Sequence, residues 1–195
     1  MKTSILVTST LALTLAALVY VTSAAHLNDA APKPVDGKAA RIARGEYLVK
    51  TSACTDCHTP MKLGPNGPEP DLSRALSGHP AGLTLPPAPA LPPGPWVATV
   101  AATMTAWSGP WGTSYTANLT SDKETGLGAW TEKEFIDTLR TGRHLGRGRE
   151  ILPPMPWPVY GQMTDEDLGS IFAYLQSTPA ISNKVPAPLP PVATR

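Results

Sequence analysis

Residues 54–58 read Cys54-Thr55-Asp56-Cys57-His58, and these two cysteines are the only ones among 195 residues. Three uses compete for such a pair. A structural disulfide is the common one where disulfides persist, but a bridge around two intervening residues closes too short a loop to remove much entropy from the unfolded chain. A redox-active C-x-x-C disulfide sits beside a β-α-β pattern, and no strand-helix-strand alternation is evident. Structural zinc needs four ligands. With both cysteines used, His26, His58, His79, His144 and carboxylates remain, and none forms a second paired motif.

Helical geometry offers a use for all three side chains at once. Residues three and four apart share one face of a helix, so Cys54, Cys57 and His58 point toward one object. Two thiols so placed can add to the two vinyl edges of a haem while the imidazole just beyond reaches the iron. C-x-x-C-H is the c-type attachment signature. The motif predicts one covalent haem c, with iron bound by His58.

Upstream, Ile42, Tyr47 and Leu48 form an apolar stripe among Lys38, Arg41, Arg44 and Lys50. The spacing predicts a helix over 37–53 that delivers the chain into the motif. Residues 26–37 read as a flexible leader. Before them, Lys2, the uncharged apolar residues 5–21 and the small residues Thr22-Ser23-Ala24-Ala25 have the layout of an export signal over 1–25. The uncharged run 3–25 is also long enough to serve as an uncleaved membrane anchor. Either way a periplasmic or otherwise exported location is expected.

Downstream, 23 prolines and 16 glycines in the chain point to long loops joining short helices. They concentrate in 59–114, where Pro86-Pro87-Ala88-Pro89 and Pro92-Pro93-Gly94-Pro95 leave no sustained period. This stretch reads as a long irregular insertion. Trp96, Met104, Trp107, Trp111 and Tyr115 are costly to leave in water, so it is expected to fold back over the cofactor. Thr131 and Glu134 form a capping box ahead of Phe135, Ile136 and Leu139, with Gly142 as a stop. Another helix is signalled at Thr164, with Asp165, Glu166 and Asp167 in its first turn and Leu168, Ile171, Phe172 and Leu175 at helical spacing; it ends before Pro179. The tail 179–195, with Pro186, Pro188, Pro190 and Pro191, is expected to be extended or disordered.

A haem iron held by histidine can take a thioether on its other face. Met61 lies three residues past His58, too near along the chain to cross the haem plane. Met163 precedes the cap Thr164 and faces Leu168 as a hydrophobic staple. Met104 has packing near the tryptophans as its simplest role. Met155 stands apart, because Pro153, Pro154, Pro156 and Pro158 fix the backbone around it and leave its side chain little freedom to lose. Gap-filling is its alternative role, and Met104, His79 and His144 remain as competing ligands.

The basic cluster Arg140, Arg143, Arg147 and Arg149 suits either haem propionates or an acidic partner, or else a solvated loop that compensates nearby acids. Without Lys2, basic and acidic residues balance, which disfavours nucleic acid as a partner.

Taken together, the chain resembles a class I cytochrome c. The resemblance rests on Cys54-Thr55-Asp56-Cys57-His58 after a helix bearing Gly45 and Tyr47, on Met155-Pro156, and on Tyr174-Leu175 in the last helix. It brackets 38–178, with an insertion at 59–114 longer than the family's minimal form. It implies a mostly α fold of cytochrome c-like helices around one haem, with Gly45 allowing the first and last helices to approach closely. It also implies six-coordinate iron and no substrate site; joined to the export signal over 1–25, the expectation is a periplasmic carrier of single electrons between a redox donor and an acceptor. A cytochrome subunit of a membrane-bound dehydrogenase or oxidase complex is the first alternative, and a non-haem thiol oxidoreductase using Cys54 and Cys57 is the second.

Overall fold

The computed structural model describes residues 37–191. The segment read as an export signal, the leader apart from Gly37, and the last four residues of the tail lie outside the described residues. Among the described residues no helix is long and apolar enough to cross a membrane.

Three helices carry the core. Helix α1 (Lys38–Thr51) buries Gly45, Leu48 and Val49, which recur at three- and four-residue spacing. Tyr47 belongs to the other face: it is exposed, with the Arg44 guanidinium 5.7 Å from its ring centre. After Ser52 and Ala53 comes the short α2 (Cys54–His58). Helix α3 (Glu132–Thr141) starts with the full capping box, Glu134 N donating to Thr131 Oγ1 and Thr131 N to Glu134 Oε2. It stops at Gly142, whose φ of 67° is the left-handed conformation that suits glycine. A single turn, α4 (Trp157–Tyr160), precedes α5 (Asp165–Ser177), whose first N–H groups are capped by Thr164. Leu48, Val49, Phe135, Leu139, Leu168, Ile171, Phe172 and Leu175 from α1, α3 and α5 form one cluster with Leu76 and Leu127.

The close pair is α1 with α5. A Cβ built on Gly45 would lie 1.9 Å from the Ser170 carbonyl oxygen. The two backbones therefore touch with no side chain between them. At its rim Arg44 pairs with Asp167 of α5 and Arg41 with Glu132 of α3, each at 2.9 Å.

The stretch 59–114 is not irregular throughout. It holds a hairpin of β1 (Met61–Gly64) and β2 (Gly67–Pro70), and a three-stranded antiparallel sheet, β3 (Thr99–Val100), β4 (Ala106–Gly109) and β5 (Gly112–Tyr115), in that order. Strands of two to four residues are too short to display alternation, and cross-strand pairing stabilises them instead. The described residues thus combine helices with two small sheets rather than helices alone. Trp107 and Trp111 are half-buried in the second sheet's hairpin, whereas Trp96 is exposed.

The tail is extended but fastened. Leu189 exchanges two 2.9 Å backbone hydrogen bonds with Thr113. Asn183 is buried with all four of its polar positions used: Oδ1 accepts from Arg74 Nη2 and the Ala81 N–H, and Nδ2 donates to the Ser77 and His79 carbonyls. A side chain inside a proline-rich tail thus holds the start of the insertion, a role its local sequence does not announce.

Gly45→Ala is expected to cost about 1–3 kcal/mol of stability by forcing the helix pair apart. Gly82→Ala, where nothing lies within 4 Å of the new methyl, is expected to stay within about 0.5 kcal/mol. Denaturant midpoints of the two variants test the difference.

Candidate functional site

The turn α2 starts from Ala53, which adopts a left-handed conformation (φ 57°) and turns the chain sharply out of α1. Its five residues place Cys54, Cys57 and His58 on one face of a single short helical turn. Both thiols are free. Cys54 packs against the core cluster, and burial pushes its thiol up to about 11. Burial, and then the Asp56 carboxylate, raise the Cys57 thiol as well. A reactive C-x-x-C pair needs the opposite shift, because the thiolate is the nucleophile.

His58 is buried, and its ring is oriented by one bond: Nδ1 lies 2.8 Å from the Ala117 carbonyl oxygen. A carbonyl only accepts, so Nδ1 carries the hydrogen and Nε2 keeps its lone pair. Burial lowers the pKa of His58, against a smaller opposing effect of the Ala117 bond, and keeps the ring neutral. A metal-binding imidazole has this form, its second nitrogen donating to a backbone carbonyl. Around it, Gly78 N donates to the His58 carbonyl at 2.8 Å and Leu76 N to Thr59 Oγ1 at 3.0 Å, so the segment after β2 closes over the motif.

Met155 is half-buried against the same apolar cluster that Cys54 touches. Its loop is pinned from several sides. Ser114 Oγ on β5 donates to the Pro153 carbonyl, Ile151 N donates to the Gly142 carbonyl at 2.8 Å, and Tyr160 Oη donates to the Ser52 carbonyl at 2.6 Å. The Trp157 ring lies on Gly142, where a Cβ would come within 2.3 Å of it. Met163 also packs on the cluster, as its place before Leu168 suggests; Met61 and Met104 are half-buried elsewhere.

The histidine alternatives are differently employed. His79 is fully buried with Nδ1 3.0 Å from Thr105 Oγ1 and Nε2 3.3 Å from the Leu83 carbonyl, so both ring nitrogens are engaged. His144 is exposed and meets Trp130 edge-on, 5.0 Å between centroids. Among the described residues no group of three or more His, Cys, Asp or Glu side chains gathers as a metal site.

The arginine cluster is largely satisfied within the protein. Arg140 bonds Asp165 and the Gly161 carbonyl, Arg143 pairs with Glu150 at 2.8 Å, and Arg147 lies 3.6 Å from Glu134. Arg149 donates to the Glu150 carbonyl. Compensation of nearby acids accounts for three of the four.

Two thiols and a neutral imidazole on one turn, with a thioether packed on the same cluster, form a donor set that fits a haem c. Sequence reasoning missed the supporting groups Ala117, Ser114 and Tyr160. Ala117 acts through its backbone, which no side-chain pattern reveals, and the other two act across long separations.

The chain is similar to cytochrome subunits of dehydrogenases. It is 29% identical over 156 residues to the cytochrome c subunit of alcohol dehydrogenase (quinone) from Gluconobacter oxydans, covering 77% of this chain and 25% of that protein. It is 28% identical over 146 residues to the fructose dehydrogenase cytochrome subunit of Gluconobacter japonicus, covering 75% and 23%. With the gluconate 2-dehydrogenase cytochrome c subunit of Pantoea cypripedii it shares 30% over 135 residues, covering 69% and 22%. The chain spans about a quarter of the length of these relatives. No family model matches it. These similarities, joined to the thiol and imidazole arrangement, imply a c-type cytochrome.

His79 gives the site's surroundings a pH dependence. Burial lowers its folded-state pKa, against a smaller opposing effect of the Leu83 carbonyl. Below the unfolded value of about 6.5 the unfolded chain takes up a proton that the folded one refuses, so stability falls as the pH drops below that point. The slope approaches about 1.4 kcal/mol per pH unit for one such group. Urea midpoints between pH 7.5 and 5.5 are expected to fall, and to fall less steeply in His79→Gln.

Proposed function

We propose that this chain is a mono-haem class I cytochrome c that carries single electrons from a dehydrogenase toward a further acceptor. The observation that carries the reading is the His58 ring, neutral and aimed by Ala117, on the same turn as both thiols. Cys54 and Cys57 hold the haem through thioethers, His58 Nε2 ligates the iron, and Met155 supplies the sixth ligand. Bound haem supplies one-electron chemistry between Fe(II) and Fe(III).

The chain's own residues then have two tasks. His58 and Met155 would hold the iron of the bound haem, and a thioether among its ligands would raise the potential. Leu48, Leu139, Leu168 and their neighbours keep water from the buried side, which disfavours the extra charge of the oxidised state. Dehydrogenases acting on alcohol, fructose and gluconate share such cytochrome subunits. The shared element is the electron path rather than the substrate, and a dehydrogenase partner follows for this chain. The apolar segment after Lys2 supports an exported, periplasmic carrier.

The thiol oxidoreductase reading is the weaker one, because both thiols are shifted upward by burial.

Expressed with c-type haem maturation, the protein is expected to gain the mass of one haem that survives denaturation, and Cys54→Ser with Cys57→Ser is expected to abolish it. An exported protein whose mass equals the polypeptide alone ends the proposal. Met155→Ala is expected to lower the midpoint potential and to admit carbon monoxide to the reduced iron; unchanged potential and continued exclusion of carbon monoxide transfer the sixth position to another residue.

A further inference from the structure

The segment bearing Met155 is tied at both ends to the elements that carry the rest of the site. On the upstream side, Ser114 Oγ donates to the carbonyl of Pro153, two residues before Met155. Ser114 lies on β5, and the chain runs from there directly to Ala117, whose carbonyl orients His58. On the downstream side, α4 ends in Tyr160, whose hydroxyl donates to the Ser52 carbonyl at 2.6 Å. Ser52 closes α1 and lies two residues before Cys54.

The Ser52 carbonyl is an end-of-helix acceptor with no partner inside α1, and such groups are costly to leave unpaired when water is excluded. The Cys54 sulfur lies 4.0 Å from the same oxygen. Once that sulfur is a thioether it has no hydrogen to donate, and Tyr160 remains as the donor. The bond thus joins the attachment side of the site to the methionine side across 108 residues of sequence. Between the two ties, Pro153, Pro154, Pro156 and Pro158 each restrict φ, so the loop responds as a stiff piece rather than residue by residue.

Resting on the reading of Met155 as the sixth ligand, we infer that Tyr160 and Ser114 are positioning residues that hold Met155 on the iron and set how readily an outside ligand displaces it. A closed state with Met155 bound exchanges with an open state in which the loop has lifted. An external ligand binds only the open state, so its apparent affinity scales with the open population. Each hydrogen bond is made in the closed state alone. Losing one that is worth the usual net amount raises the open fraction about three- to tenfold. The two ties lie on opposite sides of the loop, and their effects multiply if they act independently.

The test uses the full haem-loaded protein. Imidazole is titrated against the oxidised form and carbon monoxide against the reduced form, each followed by the absorption spectrum. Tyr160→Phe and Ser114→Ala are each expected to tighten imidazole binding about three- to tenfold, and the double variant by roughly the product. Ser114→Ala serves alone if Tyr160→Phe fails to mature. Thr131→Ala removes the cap at the end of α3 opposite Gly142, where the loop is held; it is expected to lower the melting temperature and leave imidazole affinity unchanged. If Met155→Ala opens the iron while Tyr160→Phe and Ser114→Ala bind imidazole as the parent does, the positioning role is wrong and the ligand assignment stands. Equal tightening in Thr131→Ala also overturns the inference, since general loosening then explains it. If Met155→Ala leaves both spectrum and affinity unchanged, the ligand assignment fails first and the inference falls with it.

Discussion

Two helix backbones in contact at Gly45 and Ser170 set the frame on which the site depends. With no side chain between them at this point, α1 and α5 pack backbone to backbone, and the functional groups lie on the segments that leave α1 and lead into α5. The C-terminal end of α1 turns at Ser52 and Ala53 straight into Cys54. The N-terminal end of α5 is reached through α4 and the Met155 loop. Separating the helix pair by even a methyl group would shift these ends relative to each other. That contact therefore carries a functional constraint as well as apolar burial; the ion pair Arg44 to Asp167 helps to hold its register, and Arg41 to Glu132 ties α1 to α3. Exposed pairs of this kind contribute little individually, so their value here lies more in geometry than in stability.

The rest of the chain is held against that frame by Leu76 and Leu127 in the core cluster and by polar bonds. The β3-β4-β5 sheet is small, and the tail beyond α5 has few large apolar side chains to bury. Asn183 compensates by closing four hydrogen bonds in a buried setting, and Asn118 and Thr120 add more to the Ile181 carbonyl. With all four polar positions of Asn183 used, the contact is specific in a way an apolar one is not, since any shift leaves one of them without a partner. The insertion thereby gains a defined position; it brings Ser114 to Pro153, and the residues that follow it bring Ala117 to His58.

What could be read from the sequence was whatever depends on neighbours three or four residues apart. The attachment turn, the Thr131 capping box and the Thr164 cap are of that kind, and the helices lie within a residue or two of the expected ends. Interactions across long separations were not legible. Strands of two to four residues show no period, a backbone carbonyl such as that of Ala117 has no residue type to betray it, and an asparagine in a proline-rich tail looks like any loop residue. Tyr47 illustrates a subtler miss: it suits the apolar stripe by type, yet the face that is buried runs through Gly45, which no hydrophobicity pattern would select.

Burial is the shared physical cause behind the chemistry of the site. It raises both thiols, the opposite of the shift a thiolate nucleophile needs. It holds His58 neutral, so the imidazole is ready to ligate rather than to titrate. In the proposed carrier the same low-dielectric surroundings disfavour the oxidised iron and raise its potential. One environment thus argues against thiol chemistry and for metal ligation at the same five residues, and the choice between the two readings of Cys54 and Cys57 follows from where the turn sits rather than from the motif alone.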